Sequence, residues 1–231
     1  RIVTVSEFSK QDIVDCYGVD PQKIDVAYNG VNEIFKPLTV EEKVAIRARY
    51  SEGHPYFMFV GSLHPRKNLA RLFTAFDRFK QRNHDEVRLV IVGEKRWWTE
   101  PIQKAYDAMS CKDDVVFAGR LSAEDLHKVT AAALASVYVS YFEGFGIPIL
   151  EAFRCDTPVI TSNVTSMPEV AQDAALLVDP FNEDAIADAM VTVLDEKVRE
   201  ALIAKGRERA KAFSWEQAAA TLWDCLMKSI G

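Results

Sequence analysis

The stretch YFMFVGSLHPRKNLARLFTAFDRFKQRNHDEVRLVIVG, residues 56–93, holds two apolar runs separated by a helical pattern. The runs YFMFVG and VRLVIVG are continuously apolar and rich in β-branched and aromatic residues, which is typical of strands buried on both faces. Between them, apolar residues recur at helical spacing after Asn68, a residue type that favours the start of a helix. This order predicts a right-handed βαβ unit with parallel strands.

The same alternation of strands and helices continues towards the C-terminus. Four more buried strands are predicted at residues 114–119, 135–140, 157–162 and 175–179, with helical patterns between them. We therefore predict an α/β fold with a doubly wound, Rossmann-like parallel sheet. Such sheets bind ligands beyond the carboxyl ends of their strands, so the loops that follow the strands are where we expect a site.

Composition and charge exclude several classes of protein. The 231 residues are 48% hydrophobic and carry a net charge of −6, which argues against a general nucleic-acid binder. The four cysteines are far apart and lack histidines at metal-ligand spacing, so the sequence predicts no zinc site and a reducing, cytoplasmic setting. No apolar run approaches the ~20 residues of a membrane span. Peripheral contact with the inner face of a membrane, through a region outside this sequence, stays open.

The loop after the first apolar run contains two adjacent cations. Arg66 and Lys67 come immediately before the helix that we expect Asn68 to cap. Cations beside the free N–H groups of a helix N-terminus form an anion site. The alternative interpretation is a solvated basic pair before a surface helix.

The loop after the predicted strand at 135–140 carries two carboxylates around a flexible turn. In YFEGFGIPILEAF, residues 141–153, Glu143 lies in the turn and Glu151 about one helical turn inside the next helix. The glycines allow a close approach of the backbone to a ligand, and Pro148 favours a helix start. An ordinary acidic pair near a helix N-terminus is an equally good interpretation of the two glutamates alone.

The two loops together suit one kind of ligand. Two carboxylates near a phosphate repel it unless they bind hydroxyl groups on either side while cations neutralise the phosphate. A nucleotide sugar has this layout, with a ribose diol, a diphosphate and sugar hydroxyls. The sequence has no D-x-D pair to hold a divalent metal, and Arg66 with Lys67 balance the diphosphate charge, so we predict no metal.

Several ordered motifs resemble the retaining glycosyltransferases of family 4. The resemblance covers most of the chain and implies one half of a GT-B fold, in which two Rossmann-like domains face each other, and a nucleotide-sugar donor. Val139 stands where the family commonly has proline, a departure that we expect to change little. The matching stretches are VGSLHPRKNL (60–69), VIVGEK (90–95), VVFAGRLSAEDL (115–126), the Glu143-to-Glu151 spacing and PVITSNVTSMPEVAQDAALLVDP (158–180).

The resemblance implies roles for the four charged residues. Arg66 and Lys67 would hold the donor diphosphate and stabilise the leaving nucleotide. Glu143 would contact the donor sugar near the reacting carbon, with a nucleophilic role as the less favoured alternative, and Glu151 would bind the ribose hydroxyls.

The resemblance also implies roles for uncharged positions. The backbone of Phe145 and Gly146 would approach the sugar and the phosphates. Gly61 and Ser62 would line the donor cleft, and the loop from Gly119 to Leu121 would meet the base.

The resemblance also predicts how the chain is divided. Residues 1–19 would be the end of an N-terminal domain and a linker, residues 20–213 the nucleotide-sugar-binding domain, and residues 214–231 a helix that crosses back to the other domain. Exposed apolar side chains such as Trp223 and Leu226 are expected on that helix. For the adjacent Trp97 and Trp98, we favour a packed or domain-facing role over the acceptor side of the cleft.

The donor and the acceptor are less sharply defined. The sequences of the motifs resemble those of bacterial mannosyltransferases of surface polysaccharide assembly. This resemblance implies GDP-mannose as the donor, with UDP-glucose or a related UDP-sugar as the alternative. The acceptor would be a glycan or a lipid-linked sugar bound by the other domain, and no further cofactor is implied. A nucleotide-sugar epimerase of the same architecture and a non-catalytic nucleotide-sugar-binding module remain alternative functions.

Overall fold

The computed structural model describes residues 1–83 and 86–230. The strands in chain order are β1 (Ile2–Thr4), β2 (Ile24–Val26), β3 (Tyr56–Val60), β4 (Arg88–Val92), β5 (Val115–Gly119), β6 (Ala135–Tyr138), β7 (Val159–Ser162) and β8 (Leu176–Val178). The helices are α1 (Glu7–Tyr17), α2 (Val40–Ser51), α3 (Leu69–Asn83), α4 (Glu100–Ala108), α5 (Ala123–Ala132), α6 (Ile147–Arg154), α7 (Met167–Ala171), α8 (Glu183–Thr192), α9 (Glu196–Ala210) and α10 (Trp215–Ile230).

Six strands form one parallel sheet in the order β5-β4-β3-β6-β7-β8. The chain moves outwards from β3 to β5, then returns to the other side of β3 and continues to β8. Phe57 pairs with Leu89 of β4 on one side and with Ala135 of β6 on the other. The prediction of a doubly wound parallel sheet is confirmed, with all six predicted strands in it. The switch point of the sheet therefore lies between β3 and β6.

The central strand shows why its sequence is continuously apolar. Phe57 and Phe59 pack into the core on the side of α3, whereas Tyr56 and Met58 pack into the core on the side of α5. All four side chains have no exposed surface. Successive side chains of a strand point to opposite faces, so a sheet covered by helices on both faces needs an apolar residue at every position.

The N-terminal residues form a small unit outside the large sheet. Strands β1 and β2 pair in parallel, with Ile2 opposite Ile24, and α1 connects them. Helix α10 packs against both strands. The boundary predicted between residues 19 and 20 falls inside this βαβ unit, so the strand pairing joins residues 24–26 to the N-terminal segment.

Helix α10 leaves much of its apolar surface uncovered. Trp223 is 64% and Leu226 is 50% exposed, as expected from the sequence. Within the described part of the chain, no helix combines the length and the apolar character needed to cross a bilayer.

Asn68 does not act as predicted. Helix α3 does begin after it, but its φ of 63° is left-handed, whereas a capping residue normally has an extended backbone. Its side-chain amide instead donates to the carbonyls of Val139 (2.9 Å) and Pro180 (2.7 Å). The prediction of a side-chain cap is therefore wrong. Asn68 ties the start of α3 to the loops that follow the sheet strands β6 and β8.

Candidate functional site

Arg66 and Lys67 lie in a single helical turn, Pro65–Lys67, just beyond the carboxyl end of β3. The imidazole of His64 accepts a hydrogen bond from the backbone N–H of Arg66 at 3.2 Å and so caps this turn. The side chain of Arg66 is 42% exposed and that of Lys67 only 8%. The two cations therefore differ in surroundings, one at the surface and one inside the protein.

Glu143 joins both cations. Its carboxylate lies 2.7 Å from Nη1 of Arg66 and 2.6 Å from Nζ of Lys67. The loop after β6 is held there because Arg66 donates to the carbonyl of Phe142 and accepts from the N–H of Tyr141. This contact is possible because β3 and β6 are neighbours at the switch point of the sheet.

The electrostatics of this group are those of a partly buried ion triad. Burial lowers the pKa of Lys67, although the carboxylate of Glu143 opposes the change. For Glu143, burial alone would raise the pKa, but the charge of Lys67 and the hydrogen bonds from both cations hold it below its usual value. The charges of the triad sum to +1, so the site still favours an anion.

Two contacts hold Lys67 at the base of this triad. Nζ of Lys67 also donates to the hydroxyl of Tyr138 at 2.6 Å, which fixes the ammonium group at the base of the site. Oε1 of Glu143 is buried and lies 2.6 Å from the same ammonium group. Lys67 is therefore shared between the hydroxyl of Tyr138 and the carboxylate of Glu143.

Serine hydroxyls from distant segments hold the loop that contains Glu143. The carbonyl of Gly144 accepts from Oγ of Ser6 at 2.6 Å and from Oγ of Ser9 at 3.0 Å. Oγ of Ser166 lies 2.9 Å from the carbonyl of Phe145. The sequence interpretation did not include these serines, because the contacts join residues that are far apart in the chain.

The backbone of Phe145 and Gly146 continues from this loop into α6. The ring of Phe145 is buried against Tyr28 and Phe213, so only its backbone can face a ligand. Gly146 has a φ of 108° immediately before the first residue of α6, a conformation that glycine adopts without strain.

A cavity of about 400 Å³ opens beside Lys67, at the carboxyl ends of β3, β4 and β5. A Cβ atom on Gly61 would lie 3.7 Å from Nζ of Lys67, so the cavity begins next to the cation. Of the predicted site residues, Gly61, Ser62 and Leu121 line it. Gly119 is at the end of β5, where its carbonyl accepts from the N–H of Gly93, and it is not part of the wall.

The two tryptophans lie in different surroundings. Trp98 packs against Phe73 and Phe117, as predicted. Trp97 is 58% exposed, lines the cavity and makes an edge contact with His64. The favoured prediction of a packed or domain-facing role therefore holds for one indole, while the other forms a wall of the cavity.

Glu151 is not a member of the triad. It faces a second cavity, of about 540 Å³, whose walls include residues 30–33, Ile147 and Trp215. Burial raises the pKa of Glu151 to about 7. The structure thus joins Glu143 to the cations, whereas within the described residues no ion pair links Glu151 to them.

The model of one protein family, glycosyl transferases group 1, matches residues 42–209. The chain belongs to this family. The match confirms the resemblance drawn from the motifs and covers all the predicted site residues. Across residues 1–83 and 86–230, no three His, Cys, Asp or Glu side chains of this group 1 chain are grouped to hold a metal ion.

Curated relatives of this group 1 chain include bacterial mannosyltransferases. O-antigen chain mannosyltransferase B of Escherichia coli is 33% identical over 93% of the chain and 57% of its own length. O-antigen chain mannosyltransferase RfbU of Salmonella typhimurium is 33% identical over 84% of the chain and 50% of its own length. The chain spans about half the length of the curated relatives it matches.

Solved structures share the fold of this group 1 chain. Sucrose-phosphate synthase from Thermosynechococcus elongatus has a TM-score of 0.83 at 24% identity, over 99% of the chain and 58% of its own. Anabaena HepE in complex with UDP and glucose has a TM-score of 0.86 at 18% identity, over 98% and 62%. At these identities the likeness concerns the fold.

The buried carboxyl of Glu151 predicts a pH-dependent loss of stability. Between about pH 4.5 and 7 the folded chain keeps a proton that the unfolded chain releases, so the free energy of unfolding falls as the pH rises. We expect Glu151→Gln to remove this loss, so that relative to wild type its free energy of unfolding gains about 3 kcal/mol between pH 4.5 and pH 8. Urea unfolding of both forms at the two pH values measures the gain.

Glu124→Gln is the matched control for Glu151→Gln, because Glu124 is exposed in its ion pair with Lys128. We expect it to change the free energy of unfolding by less than about 0.5 kcal/mol at either pH. Equal pH profiles for wild type and Glu151→Gln would show that the Glu151 carboxyl is not buried as described.

Proposed function

We propose that this chain is the donor-binding half of a retaining glycosyltransferase that uses a nucleoside diphosphate sugar without a metal. The observation that carries the proposal is the contact of Arg66 and Lys67 with Glu143 at the switch point of the sheet, beside a cavity at the carboxyl ends of β3, β4 and β5. Ligands of doubly wound sheets bind at this point.

The cations provide the electrostatic part of the proposed reaction. When the bond between the sugar and the diphosphate breaks, negative charge grows on the leaving diphosphate. Lys67 is buried, so its charge is poorly screened by water and stabilises that charge strongly. Arg66, at the surface, offers a planar group for two phosphate oxygens. About two positive charges then face about two negative ones, and charge balance needs no metal.

Glu143 is assigned to the donor sugar. Once the diphosphate takes over the two cations, its carboxylate is free to accept from a sugar hydroxyl close to the reacting carbon. The carboxylate, whose pKa the two cations lower in the free chain, also stabilises positive charge that develops on the sugar ring. Glu151 is assigned to the ribose hydroxyls, and the backbone of Phe145 and Gly146 to the sugar and the phosphates.

GDP-mannose is the donor that we favour. The support is that curated relatives at 33% identity are named mannosyltransferases of O-antigen chains. A UDP-sugar is the alternative donor, because the solved HepE structure contains UDP and glucose. The acceptor that we propose is a glycan or a lipid-linked sugar, bound by the part of such proteins that the chain does not span.

Isothermal titration of the chain in EDTA tests the proposal. We expect GDP-mannose and GDP to bind without added metal at the cation pair. UDP-glucose and UDP are the comparison ligands. Tighter binding of either would support the proposed donor site but would replace GDP-mannose by a UDP-sugar as the donor. A chain that binds none of the four, or binds them only after Mg²⁺ is added, would contradict the proposal.

A further inference from the structure

Three charged side chains line the cavity beside Lys67 and have no role in the proposed function. Glu94 follows β4, Arg96 lies two residues later, and Arg120 follows β5. One carboxylate oxygen of Glu94, Oε2, is paired with Nε of Arg96. The other, Oε1, has the guanidinium of Arg120 at 3.9 Å, beyond hydrogen-bond distance. The carboxylate is thus held in place at the cavity wall and keeps lone pairs for another donor.

The position of the cavity defines which part of a donor it can hold. Its wall begins at Gly61, next to Nζ of Lys67, and extends to the ends of β4 and β5. With the sugar assigned to Glu143 on the β6 side of Lys67, the nucleoside of the same donor lies on the side of this cavity. Trp97 offers an aromatic face, and Val60 and Val92 offer apolar walls, as a stacked base requires.

We propose that Glu94 selects guanine as the base of the donor. Guanine carries two adjacent donors, the N1–H and the 2-amino group, and a carboxylate can accept both in parallel as charge-assisted hydrogen bonds. The neighbouring edge carries the acceptors O6 and N7, which suit a guanidinium such as that of Arg120. This inference rests on the proposed donor site and names the residue that decides its base.

Uracil does not fit the same wall. Its one ring N–H lies between two carbonyl oxygens, so a carboxylate placed to accept from that N–H also faces two acceptors. Contact between a carboxylate and carbonyl oxygens is repulsive and leaves these acceptors without donors. Glu94 therefore discriminates against UDP-sugars and in favour of GDP-sugars.

Inosine diphosphate gives the sharpest test, because it differs from GDP only by the missing 2-amino group. We expect wild type to bind GDP roughly tenfold or more tightly than IDP in isothermal titration. In Glu94→Gln the neutral amide loses one acceptor, and the preference for GDP over IDP should fall to about twofold or less. Since both ligands carry the same diphosphate, the ratio is insensitive to changes at Arg66 and Lys67.

Xanthosine diphosphate (XDP) tests for a gain of affinity in Glu94→Gln, which misfolding of the variant could not cause. Xanthine has an oxygen where guanine has the 2-amino group, and an amide can donate to that oxygen and accept from N1–H. We expect Glu94→Gln to bind XDP more tightly than GDP, the reverse of wild type. Glu100→Gln is the matched control, because Glu100 is exposed in its pair with Lys104, and it should keep the wild-type order.

The outcomes separate this inference from the proposed function. Equal binding of GDP and IDP by wild type, or an unchanged ratio in Glu94→Gln, would overturn the role of Glu94 and leave the donor site intact. Tighter binding of UDP than of GDP by wild type would also overturn the role of Glu94 and leave the donor site intact. Failure of all the nucleoside diphosphates to bind would overturn both.

Discussion

Lys67→Ala is expected to lower the rate of sugar transfer about a thousandfold and to weaken GDP binding roughly thirtyfold, about 2 kcal/mol. Lys67 is 7% exposed, so its charge acts in a medium that screens it poorly. The loss in rate exceeds the loss in binding because charge on the leaving diphosphate is greatest in the transition state. Isothermal titration of the chain with GDP, and transfer assays of the protein that includes its acceptor-binding part, measure the two losses separately.

A loss of fold must be separated from a loss of function in Lys67→Ala. The substitution leaves Glu143 with Arg66 as its remaining cation, so we also expect some loss of stability. Urea unfolding shows whether the variant is folded under the assay conditions. Lys104→Ala, in an exposed pair with Glu100, is the matched control and should behave as wild type. Unchanged GDP affinity in folded Lys67→Ala would contradict the donor site.

The fold was predictable because the sheet is buried on both faces. Every residue from Tyr56 to Phe59 must be apolar to fill two cores, and such runs are easily recognised in a sequence. Helix α5 has a capping residue at its start, Ser122, whose hydroxyl accepts from the N–H of Asp125. Local pattern and tertiary burial agree in this part of the chain.

Short or irregular elements were not predicted. Strand β2 has three residues, too few to show a period, and exists because Ile24 pairs with Ile2 across α1. Helix α2 was missed although Thr39 and Glu42 form a reciprocal capping box, which the spacing T-x-x-E could have revealed. The left-handed backbone of Asn68 depends on carbonyls that reach it from distant loops, and no local pattern shows them.

The charged residues of the site could be predicted from the sequence, but their positions relative to one another could not. Arg66 and Glu143 are far apart in the sequence, and the order of the strands brings them to 2.7 Å. The sequence assigned the cations to phosphate and the carboxylate to sugar, without indicating that they neutralise one another. The contacts of Ser6 and Ser9 with Gly144, which hold this loop, likewise join distant segments.

The close contact between the ends of β3 and β4 requires glycine. A Cβ atom on Gly93 would lie 1.9 Å from the carbonyl oxygen of Gly61, so no other residue fits where β4 passes β3 at the cavity wall. The φ of Gly93 is also positive, at 151°. Both glycines belong to motifs that the sequence interpretation recognised, although their mutual contact is visible only in the fold.

Because Glu143 occupies the cations in the free chain, its removal should change binding and rate in opposite directions. We expect Glu143→Gln to bind GDP about threefold to tenfold more tightly, since the diphosphate no longer displaces a carboxylate from Lys67 and Arg66. Transfer should fall by about a hundredfold or more, because the amide cannot stabilise positive charge on the sugar. Titration with GDP and transfer assays measure the two changes.

The gain in binding by Glu143→Gln should depend on pH. Burial already lowers the pKa of Lys67, and the charge of Glu143 is what opposes that effect. Without this charge the pKa of Lys67 falls further, so the ammonium group loses its proton at lower pH than in wild type. The extra GDP affinity is therefore expected near neutral pH and lost as the pH rises. Glu124→Gln, in an exposed pair, should leave binding and rate unchanged. If GDP affinity and transfer fell together in a folded Glu143→Gln variant, Glu143 would not compete with the diphosphate for its cations.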